Sequence, residues 1–394
     1  MKRDRWLLPE GMEEILPPAA RHAEKVRREL VDLLDHWGYE LVMPPLIEYL
    51  ESLLTGVGSE LDLDTFKLTD QVTGRLMGVR ADMTPQAARI DAHYLRRETP
   101  VRLCYVGPVA RTRPDEFGTA REPLQIGAEL FGAPGVRADS EVLRLMLALL
   151  ARAGFGAVHV EMGHVGIYRG LARAAHLTPE AEQELFAALA RRSAPDVTAL
   201  LASWSLPEGI RDAMQALIRL HGSFSEFEAA ERALAGAPES VRAALAEMKA
   251  VWQAVRGLCA EVEWHFDLAE LNGYGYYTGV VFAAFVGHFG RAIAQGGRYD
   301  EIGGAFGRAR PAVGFGADLR LLLKLSDQPA KGGGGVFAPY RENDPALRQA
   351  ISALRDQGER VIEALSDTPD EAREMGCDRE LRQQNGRWTV VARQ

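Results

Sequence analysis

The sequence has little cysteine, no long apolar run and no excess of positive charge, and each shortage excludes a class of protein. Its three cysteines, Cys104, Cys259 and Cys377, lie far apart in a chain of 394 residues. They form no CxxC pair and no Cys/His cluster, so neither a zinc site nor a disulfide framework is expected. No segment approaches the roughly 18 consecutive apolar residues of a membrane span. The basic start is followed by an apolar run that Pro9, Glu10 and Gly11 break, unlike a secretory signal. A cytoplasmic, reducing compartment is therefore the expectation. With 46 Lys plus Arg against 55 Asp plus Glu, the formal charge is −9, the wrong sign for a protein whose main work is gripping a polyphosphate backbone.

What is present is an ordinary globular composition, 47% apolar and 26% charged, long enough for two or three packed domains. Between Pro17 and Trp37, Ala23, Val26, Leu30, Leu33, Leu34 and Trp37 recur at helical spacing, and Gly38 closes the pattern. "YELVMPPLIEYLESLL" reads as a short strand, stopped by Pro44 and Pro45, that runs into another helix; the prolines suit an edge or a subunit contact. Strand-like runs follow at "TFKLTD", "RLMGVRADMT", "VRLCYVGPVA" and "PLQIGAELFG", then a long helix in "DSEVLRLMLALLARAGF". Strands joined mostly without helices between them predict an α+β fold, an antiparallel sheet with helices against it.

Residues 1–176 form the first part of this core. Residues 177–258 turn Ala/Leu/Glu-rich, with no convincing strand, and read as a helical insertion. The core resumes over 259–326, residues 327–335 read as a Gly-rich linker, and 336–394 as a small C-terminal α/β domain. From Ala330 onward there are 10 Lys plus Arg against 11 Asp plus Glu, so this appendage carries no basic surface.

Residues two apart on a strand share a face, so in "LQIGAEL" Gln125, Gly127 and Glu129 point one way and Leu124, Ile126, Ala128 and Leu130 the other. A carboxylate and an amide flanking a bare glycine leave a hole suited to a small amine-bearing ligand; a solvated strand face is the plainer alternative. "RADMTPQ" adds Asp82 and Thr84, again two apart, and "YGYYTG" adds Tyr276 and Tyr277, which would serve equally well in a core. "QGGRYDEIGG" adds Arg298 and Tyr299. Arg111, Arg113 and Arg121 stand in the loop of "GPVARTRPDEFGTAREPLQIGAE", placed to hold an anion or simply to face solvent.

The succession resembles the catalytic core of a class II aminoacyl-tRNA synthetase, and most closely the histidyl one, over roughly residues 5–325. "YELVMPPLIEY", "GPVARTRPDEFGTAREPLQIGAE" and "PAVGFGADLRLLL" are similar to the three class II motifs, the first a dimer-interface strand. "LNGYGYYTGVVF" and "QGGRYDEIGG" are similar to the two segments particular to histidyl-tRNA synthetases. By this resemblance the histidine pocket maps onto Asp82, Thr84, Arg111, Gln125, Glu129, Tyr277 and Tyr299, with Tyr276 adjacent. Asp82 and Glu129 would take the ligand's ammonium or imidazole N–H, Arg111 its carboxylate, and the tyrosines would flank the ring.

Three positions depart from the synthetase pattern. Arg113 stands where the second motif has an acid, Asn272 where the histidine-specific segment has an arginine, and Leu321 where the third motif has a phosphate-holding arginine. Arg320 lies one step away, about 100° round a helix. Attack on a nucleotide α-phosphate requires fixed cations where charge builds up, and each lost donor costs on the order of 10² to 10³ in rate. A pocket that keeps amino-acid contacts and drops nucleotide chemistry resembles the regulatory subunit family of ATP phosphoribosyltransferase. That resemblance implies a non-catalytic subunit that partners a short-form catalytic chain, self-associates as a class II-type dimer, takes histidine as effector in feedback inhibition of histidine biosynthesis, and uses no cofactor, metal, tRNA or membrane. The rival expectations are an active or degenerate histidyl-tRNA synthetase and an amino-acid-sensing or scaffold paralogue.

Overall fold

In the computed structural model the described residues are 6–56, 59–113, 120–257, 261–270, 275–326, 334–365 and 370–393. The chain divides into two compact units, one of Met1–Glu14 and Lys25–Gln328, the other of Ile15–Glu24 and Pro329–Gln394.

Helix α1, Ala19–His36, buries Val26, Leu30 and Leu34 at the spacing the sequence shows. It stops at Gly38, whose φ of +80° suits glycine, while the Tyr39 and Gly38 amides close the end on Leu34 O and Asp35 O. Twelve strands of the first unit follow among the described residues: β1 Glu40–Leu41, β2 Ile47–Tyr49, β3 Phe66–Thr69, β4 Leu76–Val79, β5 Val101–Pro108, β6 Leu124–Phe131, β7 Val158–His164, β8 His221–Ser223, β9 Val262–Asp267, β10 Val280–Val286, β11 Phe289–Arg298 and β12 Ala312–Asp318. Nine of them form one sheet in the order β1-β5-β6-β12-β11-β10-β7-β9-β8. It is antiparallel except at β1–β5 and β7–β9, which pair in parallel.

Two sequence expectations need correction. β2, β3 and β4 do not join the large sheet but make a three-stranded sheet of their own, in the order β2-β4-β3. The stretch read as strandless contains β8, whose residues His221, Gly222 and Ser223 pair with Asp267, Phe266 and His265. Three residues of low β-propensity give no local signal; the neighbouring edge recruits them.

On one face of the large sheet, Ile126, Ala128 and Leu130 of β6 and Phe315 and Ala317 of β12 enter the main core. Helix α2, Thr84–Arg89, follows β4, and α3, Val136–Arg152, follows β6. α3 packs beside α4, Glu239–Val255, whose Val241, Leu245, Met248 and Val251 are buried in the same cluster. Leu185, Val197, Leu201, Met214 and Leu217 from the preceding helices join it too, so the inserted segment extends the core. On the opposite face lies a smaller cluster of Met83, Val101, Leu103, Tyr105, Phe131 and Tyr299. The sheet therefore has an apolar, helix-covered side and a side on which polar groups reach between aromatic rings.

In the second unit, β13 Val336–Ala338, β14 Val361–Glu363, β15 Arg379–Gln384 and β16 Arg387–Ala392 form a mixed sheet in the order β14-β13-β15-β16. Helix α5, Pro345–Asp356, contributes Leu347 and Ile351 to a small core with Val336, Ala338, Val361 and Leu381. Residues 327–333 of the segment read as a linker lie outside the described residues, and its last glycine is packed: Gly335 is buried and its carbonyl accepts from the Arg379 amide at 3.1 Å.

Candidate functional site

The pleat of β6 sets Gln125, Gly127 and Glu129 on the face away from the main core, and pairing with its neighbours fills in the surroundings. Leu103, Tyr105 and Gly107 of β5 stand opposite Glu129, Gly127 and Gln125, and Gly314 and Gly316 of β12 stand opposite Glu129 and Gly127 on the other side. Gly297 of β11 pairs with Gly314 in turn. The floor beneath these polar groups is thus paved with glycine, and for a reason of space. A Cβ on Gly314 would lie 1.6 Å from Glu129 Oε2, and one on Gly297 would lie 3.0 Å from the Tyr277 ring.

The hole expected above Gly127 is filled. The Tyr105 side chain lies over this glycine, with its hydroxyl 2.6 Å from where a Cβ would be. Tyr105 Oη donates to Glu129 Oε1 at 2.8 Å and lies 3.1 Å from Thr84 Oγ1, and Tyr299 Oη donates to Glu129 Oε2. Sequence inspection missed Tyr105 because its role follows from cross-strand register; the pairing of "LCYVG" with "QIGAE" is the signal that would have found it.

Glu129 is 1% exposed. Burial pushes its carboxyl up to about 8, the repulsion of Asp82 adds to this, and the hydrogen bonds from Tyr299, Tyr105 and Thr84 offset only part of it. At neutral pH burial therefore favours the protonated carboxyl. A cation brought against it would reverse that balance. Burial likewise holds the Tyr105, Tyr276, Tyr277 and Tyr299 hydroxyls in their neutral, donating form.

Asp82 sits at the entrance to α2. Its Oδ1 accepts from the Thr84 amide at 2.8 Å and from Gln125 Nε2 at 2.9 Å, while Gln125 Oε1 accepts from the Met83 amide at 2.9 Å. The Gln125 amide group is thus fixed in one orientation, and Asp82, Thr84, Gln125 and Glu129 form one connected network. Tyr276 stacks on Tyr299 at 5.1 Å between ring centroids and meets Tyr277 edge-on at 5.3 Å. The Tyr276 hydroxyl is buried, near the Thr84 side chain but without a well-formed hydrogen bond.

Arg111 follows β5 by three residues, its backbone paired with Thr65 and its amide donating to Arg121 O at 2.8 Å. Arg121 works structurally: its side chain donates to Arg111 O and Glu10 O and lies over the Phe66 ring. Arg298, on the other face of β11, is held by Asp139 and Asp300. A residue not singled out from the sequence, Arg80, is buried behind Asp82, donating to Pro44 O at 2.7 Å and Pro108 O at 2.9 Å. It joins the proline-ended segment to the strand that carries Tyr105.

The three departing positions are in a different condition. Arg113 Nε donates to Asp64 Oδ1 at 3.0 Å, and its side chain is 61% exposed. Leu321 is a half-buried apolar residue in the short helix Leu319–Leu325. Arg320 is anchored to Glu13 O at 2.8 Å and to Glu122 at 3.5 Å. Asn272 and the loop residues 114–119 lie outside the described residues. Among the described residues, Glu161, Asp267 and Glu270 bring carboxylate oxygens within 4.8 Å of one another, and Arg192 answers Asp267.

Comparison with known proteins identifies the family of each part of the chain. The histidyl-tRNA synthetase family model matches residues 11–322. A crystal structure from Bacillus halodurans, titled an ATP phosphoribosyltransferase regulatory subunit/histidyl-tRNA synthetase, superimposes with a TM-score of 0.81 at 28% identity, covering 96% of this chain and 98% of that one. The core is therefore of the class II, histidyl-tRNA synthetase-like type. Residues 333–391 match the family described as ATP phosphoribosyltransferase subunit HisZ C-terminal domain. The ATP phosphoribosyltransferase regulatory subunits of Thioalkalivibrio sulfidiphilus and Alkalilimnicola ehrlichii are 54% and 52% identical, each over 98% of this chain and over 98% and 96% of their own lengths. The chain belongs to the ATP phosphoribosyltransferase regulatory subunit family.

Proposed function

We propose that this chain is a non-catalytic subunit that binds histidine in the Glu129 pocket and, through it, sets the activity of a separate ATP phosphoribosyltransferase catalytic chain. The observation that carries this reading is the contrast within one site. The network of Asp82, Thr84, Tyr105, Gln125, Glu129 and Tyr299 is buried and connected, whereas Arg113 is paired with Asp64, Arg320 is anchored to Glu13 and Glu122, and Leu321 offers no charge.

An imidazole-bearing amino acid suits the first set of groups. Its cationic nitrogen would meet Glu129 and Asp82, its carboxylate Arg111, and its ring the tyrosines. Binding would then expel the proton that Glu129 holds, so uptake and proton release are linked. A bound nucleotide phosphate, by contrast, would meet Asn272 and Leu321 where the synthetase pattern has its two arginines. Regulation follows from linkage: histidine shifts the complex only by its differential affinity for the two states, and about 1–3 kcal/mol of coupling gives roughly 5- to 150-fold control.

Two assays on the purified full chain test this. Calorimetric titration with histidine should show one saturable site per chain with proton release at neutral pH, and incubation with histidine, ATP and labelled pyrophosphate should give no exchange above background. Exchange at a useful rate would favour an active synthetase, and absence of histidine binding would remove the effector role.

A further inference from the structure

On the helix-covered side of the sheet, away from Glu129, lies a cavity of about 570 Å³ whose lining includes Trp37, Arg102, Arg137, Ser140, Glu141 and Arg144. Arg102 lies on β5 one residue from Leu103, so the pleat turns the two to opposite sides. The other polar residues come from the first turns of α3, where positions 137, 141 and 144 recur at helical spacing.

Charge sets this cavity apart in a chain of formal charge −9. Three arginines face one acid there. Glu141 is taken up by Arg102, which donates to it through Nε at 2.7 Å and Nη2 at 2.8 Å, with the Tyr39 hydroxyl at 3.2 Å. These bonds hold the Glu141 carboxyl below the usual range. Arg144 extends over the Trp37 ring at 5.6 Å from its centroid, and Arg137 is exposed with no ion pair among the described residues. Two positive charges are left over.

The helix end adds to this. The N-cap of α3 is Gly135, with no side-chain cap, and the one acid of its first turn, Asp139, is turned to Arg298. The leading amides and the dipole of a 17-residue helix therefore favour an anion at this place. An independent observation points the same way. Ser140 is 6% exposed, stands in the cavity wall, and its hydroxyl has no hydrogen-bond partner. Buried donors are ordinarily satisfied, so an unsatisfied one at a cationic cavity marks a missing acceptor.

We infer that this cavity binds a small organic phosphate, its dianionic head among Arg137, Arg144 and the α3 N-terminus and its organic body against Trp37. The volume is that of a small-molecule site and exceeds what an inorganic anion needs, and a phosphate's oxygens match the fork of a guanidinium. The inference does not depend on histidine occupying the Glu129 pocket, because the two sites lie on opposite faces of the sheet.

The test is calorimetric titration of the full chain with phenyl phosphate, inorganic phosphate and a polyglutamate peptide at matched ionic strength. Phenyl phosphate should bind saturably and more tightly than inorganic phosphate. The double variant R137Q/R144Q alters exposed side chains and should keep its melting temperature while losing about tenfold or more in affinity. Glu129→Ala should leave phenyl phosphate binding unchanged, which separates this site from the proposed histidine pocket. No saturable binding, equal affinity in R137Q/R144Q, or binding of polyglutamate alone would overturn the inference, the last by assigning the cavity to an acidic protein segment.

Discussion

Around Glu129, the groups proposed to recognise a ligand also hold one another: two tyrosine hydroxyls on the carboxylate, a glutamine locked between Asp82 and a backbone amide, and glycines that leave room for them. Around Arg113 and Arg320, reached from the ends of the same strands, the cations are taken up by an aspartate, a backbone carbonyl and a glutamate at or near the surface. On the proposed reading, the difference is how the two halves of one site part company. A buried polar network resists piecemeal change because each lost partner strands another group in low dielectric. An exposed arginine is re-paired at almost no cost to the fold.

If that contrast is right, substitutions should rank accordingly. Glu129→Ala should have the largest effect, lowering histidine affinity by about 100-fold, since it removes the charged acceptor and leaves the Tyr105 and Tyr299 hydroxyls unpaired. Calorimetry on the variant checks this, with Glu129→Gln expected between the two. Gly314→Ala comes next. Its Cβ would press on Glu129 Oε2 and lie 2.8 Å from Ala128 O, so a loss of about 1–3 kcal/mol is expected in denaturant melts.

A smaller effect sharpens the comparison through pH. The folded chain holds the Glu129 proton up to about 8, far above the unfolded carboxylate value, so the folded state binds the extra proton in between. The stability this gives is full below the unfolded value and is lost as pH rises toward 8. Glu161, raised to about 7, and Asp139, raised to about 6, act in the same sense. Melting temperature in the unliganded chain should therefore fall across this window, and Glu129→Gln should flatten the fall without abolishing it. Identical slopes in the two proteins would show that Glu129 is not protonated in the fold. The least effect is expected from Arg113→Ala, whose partner Asp64 is also near the surface: stability should change by less than about 1 kcal/mol and histidine affinity not at all.

Much of this was legible locally. The period-two pattern of "LQIGAEL" put Gln125 and Glu129 on one face, and α1 followed from its apolar spacing and Gly38. What escaped notice depended on pairing between distant segments. Tyr105 belongs to the site only because it faces Gly127 across two strands, and β2, β3 and β4 form their own sheet for reasons that no single strand displays. β8 is too short and polar to announce itself. Arg80 is buried against the carbonyls of Pro44 and of Pro108 at the end of β5, partners that its own segment does not reveal. The departures at Arg113 and Leu321 were legible by motif, but where Arg113 and Arg320 find their partners was not.

The most direct test is the rate of a short-form ATP phosphoribosyltransferase catalytic chain reconstituted with this protein, measured with and without histidine and with the Glu129→Ala variant alongside. The account predicts that activity depends on the added chain, that histidine lowers it, and that the variant supports activity while losing most of the inhibition. A catalytic chain indifferent to this protein, or inhibition by histidine unchanged in the variant, would contradict it.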